Sequence, residues 1–457
     1  MTISVRFLLK NTFWTVGAFG FAQALRLVTN IILARLLAPQ LFGIMLIVNS
    51  IRIGIEFISD VGIGQNIIYH QNANDPEFYN TAWTLQAIRS VGVWLIALIL
   101  AAPVARFYQS PILVFIVPLI AFTSVLAGFS SISLSLLQKR LYIAKLNLFD
   151  TVLALVGSAA LVLFAYLSPT IWALVFGFLF GCTASMIGSY FLLPEIKQRF
   201  YLSKRYVWEI LHYGKWVFAS SVVYFLSTNF DRLYLAKVVS LELLGVYGIA
   251  RSISEILSMT VLRFGNYVLF PLIASHSQIP RSDLREQLIS IRAKFLLLAV
   301  FGFSPIVVMA DLPIRILYDE RYQAAAWMLP LLIIGSWFSL LANVNEATLL
   351  GLGKPAYSAI ANGSKFIFLL IGLPVSVLSL GLLGGIVAVA LSDLFRYFPI
   401  LIGQRREHFS FGVQDLFFTL AAFLLILLCE WLRWVSGFGY SFESLPIVVS
   451  AFFGDGR

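Results

Sequence analysis

Ionisable and amide side chains interrupt the long apolar runs of this chain at helical spacing. Gln23, Arg26 and Asn30 fall at i, i+3 and i+7. Asn49, Arg52, Glu56 and Ser59 repeat that pattern one turn further. On a helix each set occupies one face. Thr228, Asn229, Asp231 and Arg232 then lie close together, and Arg251 and Glu255 form an i, i+4 pair. A guanidinium offers a planar fork of donors that suits phosphate oxygens, which makes Arg26, Arg52 and Arg251, then Arg232, candidates for a cationic patch. Asn30 and Asn49 stand beside them as hydrogen-bonding groups. Asp231, which can hold a proton or a sodium ion, is a candidate for ion coupling, with Glu255 and Glu56. A second reading competes: Arg52–Glu56 and Arg251–Glu255 are intrahelical ion pairs that only neutralise each other. Arg26 has no acid within a turn of its own helix. Asp60 reads as a cap or loop anchor. Arg89, Asp150, Glu346, Lys365, Asp393 and Arg396 are scattered and rank below the stripes.

The surroundings of these residues explain why their charge matters. The chain has 457 residues, of which 60% are hydrophobic and only 12% charged, against about 25% charged in ordinary soluble domains. Mean hydropathy is +0.90. So much apolar surface requires lipid as the solvent, and the fold class is an all-α integral membrane protein. A helix needs about 20 apolar residues to span. The apolar runs predict thirteen spans, at 12–37, 41–63, 83–105, 112–136, 147–168, 171–193, 214–236, 242–272, 291–312, 324–350, 357–379, 382–403 and 414–435. The run 445–453 is too short to cross and reads as a partial fourteenth helix or a lipid-surface tail. Arg6 and Lys10 precede a first span that is too long for a cleaved leader.

Net charge is +10, but the basic residues gather in short loops, which is a sign of membrane topology rather than of nucleic-acid binding. Arg6, Lys10, Lys139, Arg140, Lys145, Lys197, Arg199, Lys204, Arg205, Arg281, Arg285, Arg292, Lys294, Lys354, Arg405 and Arg406 fall on one side; Arg106, Arg315 and Arg321 fall on the other. This bias places the N-terminus in the cytoplasm. No loop is long enough for a folded domain. Residues 275–294, with Leu284, Leu288 and Ile291 in register, predict a short amphipathic helix at the cytoplasmic surface. Cys182 and Cys429 sit in apolar runs and read as packing residues. The four His, no carboxylate–His set on an outer loop and no GxxxxGK[ST] loop argue against hydrolysis or metal chemistry, so no cofactor is expected.

The chain also repeats itself. Leu33–Gly43 reads LARLLAPQLFG and Leu235–Gly245 reads LAKVVSLELLG, an offset of 202. Trp14 matches Trp216 and Ser50–Ile51 match Ser252–Ile253. Pro103 matches Pro313, and Pro118 matches Pro330, at slowly growing offsets. Asn30 aligns with Arg232 and Asn49 with Arg251, so polar faces recur in both halves. Each half holds six spans, an even number, so the halves are parallel repeats. The expected domains are 1–200 and 203–410, two six-helix bundles, with 411–457 adding one or two helices.

The chain resembles the polysaccharide-transport, or oligosaccharide flippase, family of the multidrug/oligosaccharidyl-lipid/polysaccharide exporter superfamily. The likeness rests on LARLLAPQLFG with SDVGIGQNII (Ser59–Ile68), on LLGLGKP (Leu349–Pro355) and on the two-half layout. The resemblance implies two bundles around a central cavity, alternating access, and export of a polyprenyl-diphosphate-linked oligosaccharide across the bacterial inner membrane for O-antigen, capsule or exopolysaccharide synthesis. On that basis the arginines would meet the diphosphate and Asn30, Asn49 and Asn229 the sugar hydroxyls. Membrane lipid, a polysaccharide polymerase and chain-length machinery are the implied partners. An ion-coupled drug exporter and a peptidoglycan-precursor flippase are alternatives in the same superfamily. A membrane-embedded oligosaccharide polymerase or ligase is the alternative from another class.

Overall fold

The structure, a computed structural model, describes residues 5–59, 62–70, 75–140, 142–264, 269, 273 and 280–441. Asp60, most of the end of the eighth predicted span and the run 445–453 lie outside the described residues. The regular elements are helices: α1 (Val5–Leu36), α2 (Pro39–Ile58), α3 (Ile63–Tyr69), α4 (Pro76–Phe107), α5 (Leu113–Gly128), α6 (Ser133–Lys139), α7 (Ile143–Leu167), α8 (Ile171–Tyr190), α9 (Lys204–Val238), α10 (Leu241–Phe264), α11 (Arg281–Val308), α12 (Asp311–Leu317), α13 (Ala325–Gly351), α14 (Ala356–Arg406) and α15 (Gly412–Val435). Among the described residues, nine helices are long and apolar enough to cross a membrane, and α5 and α6, bent by 55° to one another, are so only when taken together. The chain is a multi-pass membrane protein.

Each of the thirteen predicted spans overlaps a helix. Pro39 occupies the first turn of α2, where its missing N–H costs nothing, after Ala38 in an extended conformation. α14 has 51 residues, about 75 Å at about 1.5 Å per residue, more than twice a hydrocarbon core. It therefore crosses twice. The break falls at Leu380 and Gly381, and Gly381 has φ 60° and ψ −146°, a conformation open only to glycine. The fourth predicted span is likewise broken. α5 ends at Gly128, and Gln86 Nε2 donates to the carbonyls of Gly128 (3.1 Å) and Ala127 (3.3 Å) at that end.

The chain forms two compact units, Met1–Phe225 and Leu226–Arg457. The sequence repeat divides at 200–203, whereas the units part inside α9, because Tyr206 and Ile210 pack into the unit 1 core with Ile63, Ile67, Phe78, Trp83, Leu136 and Leu193. The preceding connector is fastened down as well. The backbone N–H groups of Arg199, Tyr201 and Ser203 donate to Asn80 Oδ1 (2.8 Å), Thr84 Oγ1 (3.0 Å) and Thr81 Oγ1 (3.0 Å) of α4.

In unit 2, α15 packs against α11. Arg292 is 1% exposed and donates to Asp415 Oδ1 (2.6 Å), Asn345 Oδ1 (2.8 Å) and Gln414 Oε1 (3.2 Å). Its guanidinium lies 4.1 Å from the Phe411 ring centroid. Asp415 also accepts from Asn345 and Tyr397. Two expectations change here. Arg292 is a buried structural cation, not a loop charge. Residues 281–290 are the start of α11, not a separate surface helix, and Leu284 and Leu288 face Phe409 and Phe411 rather than lipid.

Candidate functional site

The α2 stripe forms one cluster in unit 1. Arg52 and Glu56 point the same way, one turn apart, and Arg52 donates to Glu56 Oε1 at 2.7 Å. The Ser124 hydroxyl of α5 donates to the same oxygen at 2.5 Å. Arg89 of α4 donates to the Glu56 carbonyl (2.8 Å) and to Ser59 Oγ (3.2 Å). Two guanidiniums thus meet at Glu56, Arg52 on its carboxylate and Arg89 on its backbone carbonyl. A cavity of about 360 Å³ opens beside it, lined among others by Glu56, Phe57, Gln86, Arg89, Ser90 and Ser124. Its walls come from α2, α4 and α5 with the start of α3. α4 and α5 are held close at Gly128, where a Cβ would lie 2.0 Å from Ser90 Oγ.

Arg26, Asn30 and Asn49 are not joined to this cluster. None has a side-chain hydrogen bond or ion pair among the described residues. Arg26 is exposed on α1, and Asn30 and Asn49 are half-buried. Arg26 is thus a cation in an apolar helix with no protein counter-charge, a costly placement unless water, a headgroup or an anionic ligand meets it.

Unit 2 answers its arginines differently. Arg232 of α9 donates to Glu255 of α10, and also reaches Asn229 Oδ1 at 3.4 Å. Arg251 lies 3.3 Å from Glu255 and 3.5 Å from Asp231. Asp231, 2% exposed, accepts the Tyr247 hydroxyl. Two cations here meet two anions. The intrahelical pair Arg251–Glu255 exists, but it belongs to a network of two helices.

A third cluster escaped sequence reasoning. Lys365 donates to Asp393 at 2.9 Å, Arg396 donates to Glu346, and Arg396 lies 3.8 Å from Asp393. These side chains are nearly buried. Their partners stand 28 and 50 positions apart, so no local spacing announced them. Arg89 was underrated for the same reason: its partners lie 30 and 33 residues upstream. The available signal was the rarity of ionisable groups in apolar helices. Among the described residues no group of His, Cys, Asp and Glu has the makings of a metal site.

Comparison with known proteins adds lineage to this geometry. Residues 32–327 match the family model described as polysaccharide biosynthesis protein. The chain is 24% identical over 262 residues to the lipopolysaccharide biosynthesis protein WzxC of Escherichia coli (strain K12), covering 57% of this chain and 53% of that one. It is 22% identical over 330 residues to the succinoglycan biosynthesis transport protein ExoT of Rhizobium meliloti (strain 1021), covering 71% and 65%. The chain thus spans about half to two thirds of the length of these relatives. Among solved structures, the lipid II flippase MurJ in an inward closed conformation superposes with a TM-score of 0.72 over 91% of each chain, at 13% identity, which is a likeness of fold. A family model that matches well over half of the sequence leads to one assignment: the chain belongs to the polysaccharide biosynthesis protein family.

Proposed function

We propose that this protein is a flippase that moves a polyprenyl-diphosphate-linked oligosaccharide from the inner to the outer leaflet of the bacterial cytoplasmic membrane by alternating access. Its cargo feeds an exported polysaccharide such as an O-antigen, a capsule or an exopolysaccharide, and a polymerase with its chain-length machinery takes over on the far side. The observation that carries this reading is the set of guanidiniums on the apolar helices of unit 1: Arg52 and Arg89 at Glu56, and Arg26 with no ion pair among the described residues. Guanidiniums suit an anionic cargo, whereas a cationic drug would need carboxylates in their place. The relatives named for lipopolysaccharide and succinoglycan synthesis support the cargo class, and the fold shared with a lipid II flippase supports the mode of transport.

Deletion of the gene in the source bacterium, with analysis of lipid-linked intermediates, tests the reading. Build-up of a cytoplasm-facing lipid-linked oligosaccharide is the expected result. Unchanged glycans together with drug hypersensitivity would point to the drug-exporter alternative. Arg26→Ala and Arg52→Ala should each reduce transport about 10- to 100-fold at unchanged protein level, matching the about 1.5–3 kcal/mol of a hydrogen bond to a charged group. Transport at the wild-type rate in both would remove these residues from the site.

A further inference from the structure

The connector that leads into α9 carries more exposed apolar surface than a polar link between two repeats requires. Phe200 is 66% exposed and Trp208 67%, and Leu202 and Leu211 are about half exposed. On α9, Lys204, Trp208 and Leu211 stand at i, i+4 and i+7 and share one face, while Tyr206 and Ile210 fill the core on the other. Basic side chains flank these residues. Lys197, Arg199 and Lys204 are exposed, and none has a side-chain hydrogen bond or ion pair among the described residues. The two acids of the stretch are engaged elsewhere: Glu195 lies 3.5 Å from Arg140, and Glu209 lies 3.2 Å from Arg205 and 3.3 Å from His70. All of these residues belong to unit 1.

The register of the connector sets its depth. Its backbone is fixed to Asn80, Thr81 and Thr84 of α4, and the apolar run of α4 begins at Trp83. The connector therefore lies at the level where the helix passes from polar to apolar surroundings, which in a bilayer is the headgroup region. The Phe200 ring rests 4.9 Å from that of Trp83 and still remains largely exposed. Tyr201 reaches instead to Glu77 in the first turn of α4. A surface at that depth is met by lipid before any soluble protein.

We infer that the connector and the opening turns of α9 form a binding surface for acidic phospholipid headgroups, in the leaflet on the side of the basic loops. Phe200, Leu202, Trp208 and Leu211 enter the boundary of the hydrocarbon, and Lys197, Arg199 and Lys204 meet the negative charge of the headgroups. Neither feature suffices alone. A basic loop without apolar side chains stays in the water layer, and exposed aromatic side chains without charge take zwitterionic and acidic lipids alike. Together they select a lipid with net negative charge. None of these residues belongs to the Arg52–Glu56 cluster, so the surface is independent of what the protein transports.

Quenching of a fluorophore placed on this surface tests the inference. In a protein with Cys182 and Cys429 replaced, Leu202→Cys carries a bimane label. The protein is reconstituted in phosphatidylcholine vesicles that contain a minor share of nitroxide-labelled phosphatidylglycerol or, in parallel, of nitroxide-labelled phosphatidylcholine. The expected result is quenching by both lipids and little by aqueous acrylamide. Phosphatidylglycerol should reach half its effect at a mole fraction about tenfold lower than phosphatidylcholine, a preference within what three cations near an acidic surface supply. The triple variant Lys197→Gln, Arg199→Gln, Lys204→Gln should erase that preference and leave quenching by phosphatidylcholine unchanged. Leu211→Cys gives the same readout if Leu202→Cys does not fold. Equal potency of the two lipids with the cations intact, or a preference that survives the triple variant, overturns the acidic-lipid surface. Quenching by acrylamide with none by either lipid overturns it as well, and would leave the surface to a soluble partner.

Discussion

A guanidinium in an apolar helix has to be answered by something, since placing one at the bilayer centre costs about 2.5–3.5 kcal/mol on insertion scales. This chain uses three answers. Arg292 is enclosed by Asp415, Asn345, Gln414 and the face of Phe411. Arg232 and Arg251 are balanced by Glu255 and Asp231. Arg26 has no hydrogen-bond or ion-pair partner among the described residues. Arg292→Ala should therefore act on stability rather than on cargo: it leaves Asp415 buried without its cation, a loss of roughly 3–5 kcal/mol for a broken buried pair. Thermal unfolding in detergent would show a clear fall in midpoint, and an unchanged midpoint would refute the structural role. Arg26 and Arg52 could be singled out from sequence because helical spacing is a local property. Arg89, Lys365 and Arg396 could not, because a guanidinium or ammonium reveals its purpose only through partners that the fold brings from distant helices.

At the scale of elements, the connector before α9 is the clearest case of sequence and structure saying different things. Its composition, PEIKQRFYLSK from Pro194 to Lys204, reads as a polar linker between two repeats. In the fold, alternate residues of that stretch turn their N–H groups onto Asn80, Thr81 and Thr84 of α4, the Tyr201 hydroxyl donates to Glu77 at 3.1 Å, and Gln198 reaches Ser131 at 2.8 Å. The period of two along the connector meets the period of about 3.6 along the helix. Arg199 and Lys204 should accordingly resist trypsin in the native protein, whereas the triple variant Asn80→Ala, Thr81→Ala, Thr84→Ala should be cut there readily. Equal cleavage of both proteins would show that the connector is not held. The bend between α5 and α6 and the glycine break in α14 were invisible for a related reason: hydropathy reports whether a segment is apolar, not whether its axis is straight.

At the scale of the whole molecule, the sequence repeat predicts two six-span halves with a common direction of insertion, because an even number of crossings returns the chain to its starting side. The basic loops then predict a cytoplasmic N-terminus. In a protein with Cys182 and Cys429 replaced, a single cysteine at Pro169, between α7 and α8, should react with an impermeant maleimide added to intact cells. A single cysteine at Arg140, on the opposite loops, should react only after permeabilisation. The reverse pattern would invert the topology.

By itself the sequence determined the solvent, the all-helical fold class and the family, because each depends on composition or on short motifs along the chain. Apolar runs of about 20 residues have few alternatives in a bilayer. Only the tertiary structure decided which charges meet, since those pairs are made by side chains tens of residues apart in the chain. It also decided that a cavity opens beside Glu56, because a void belongs to the packing of α2, α4 and α5 together and to none of them alone.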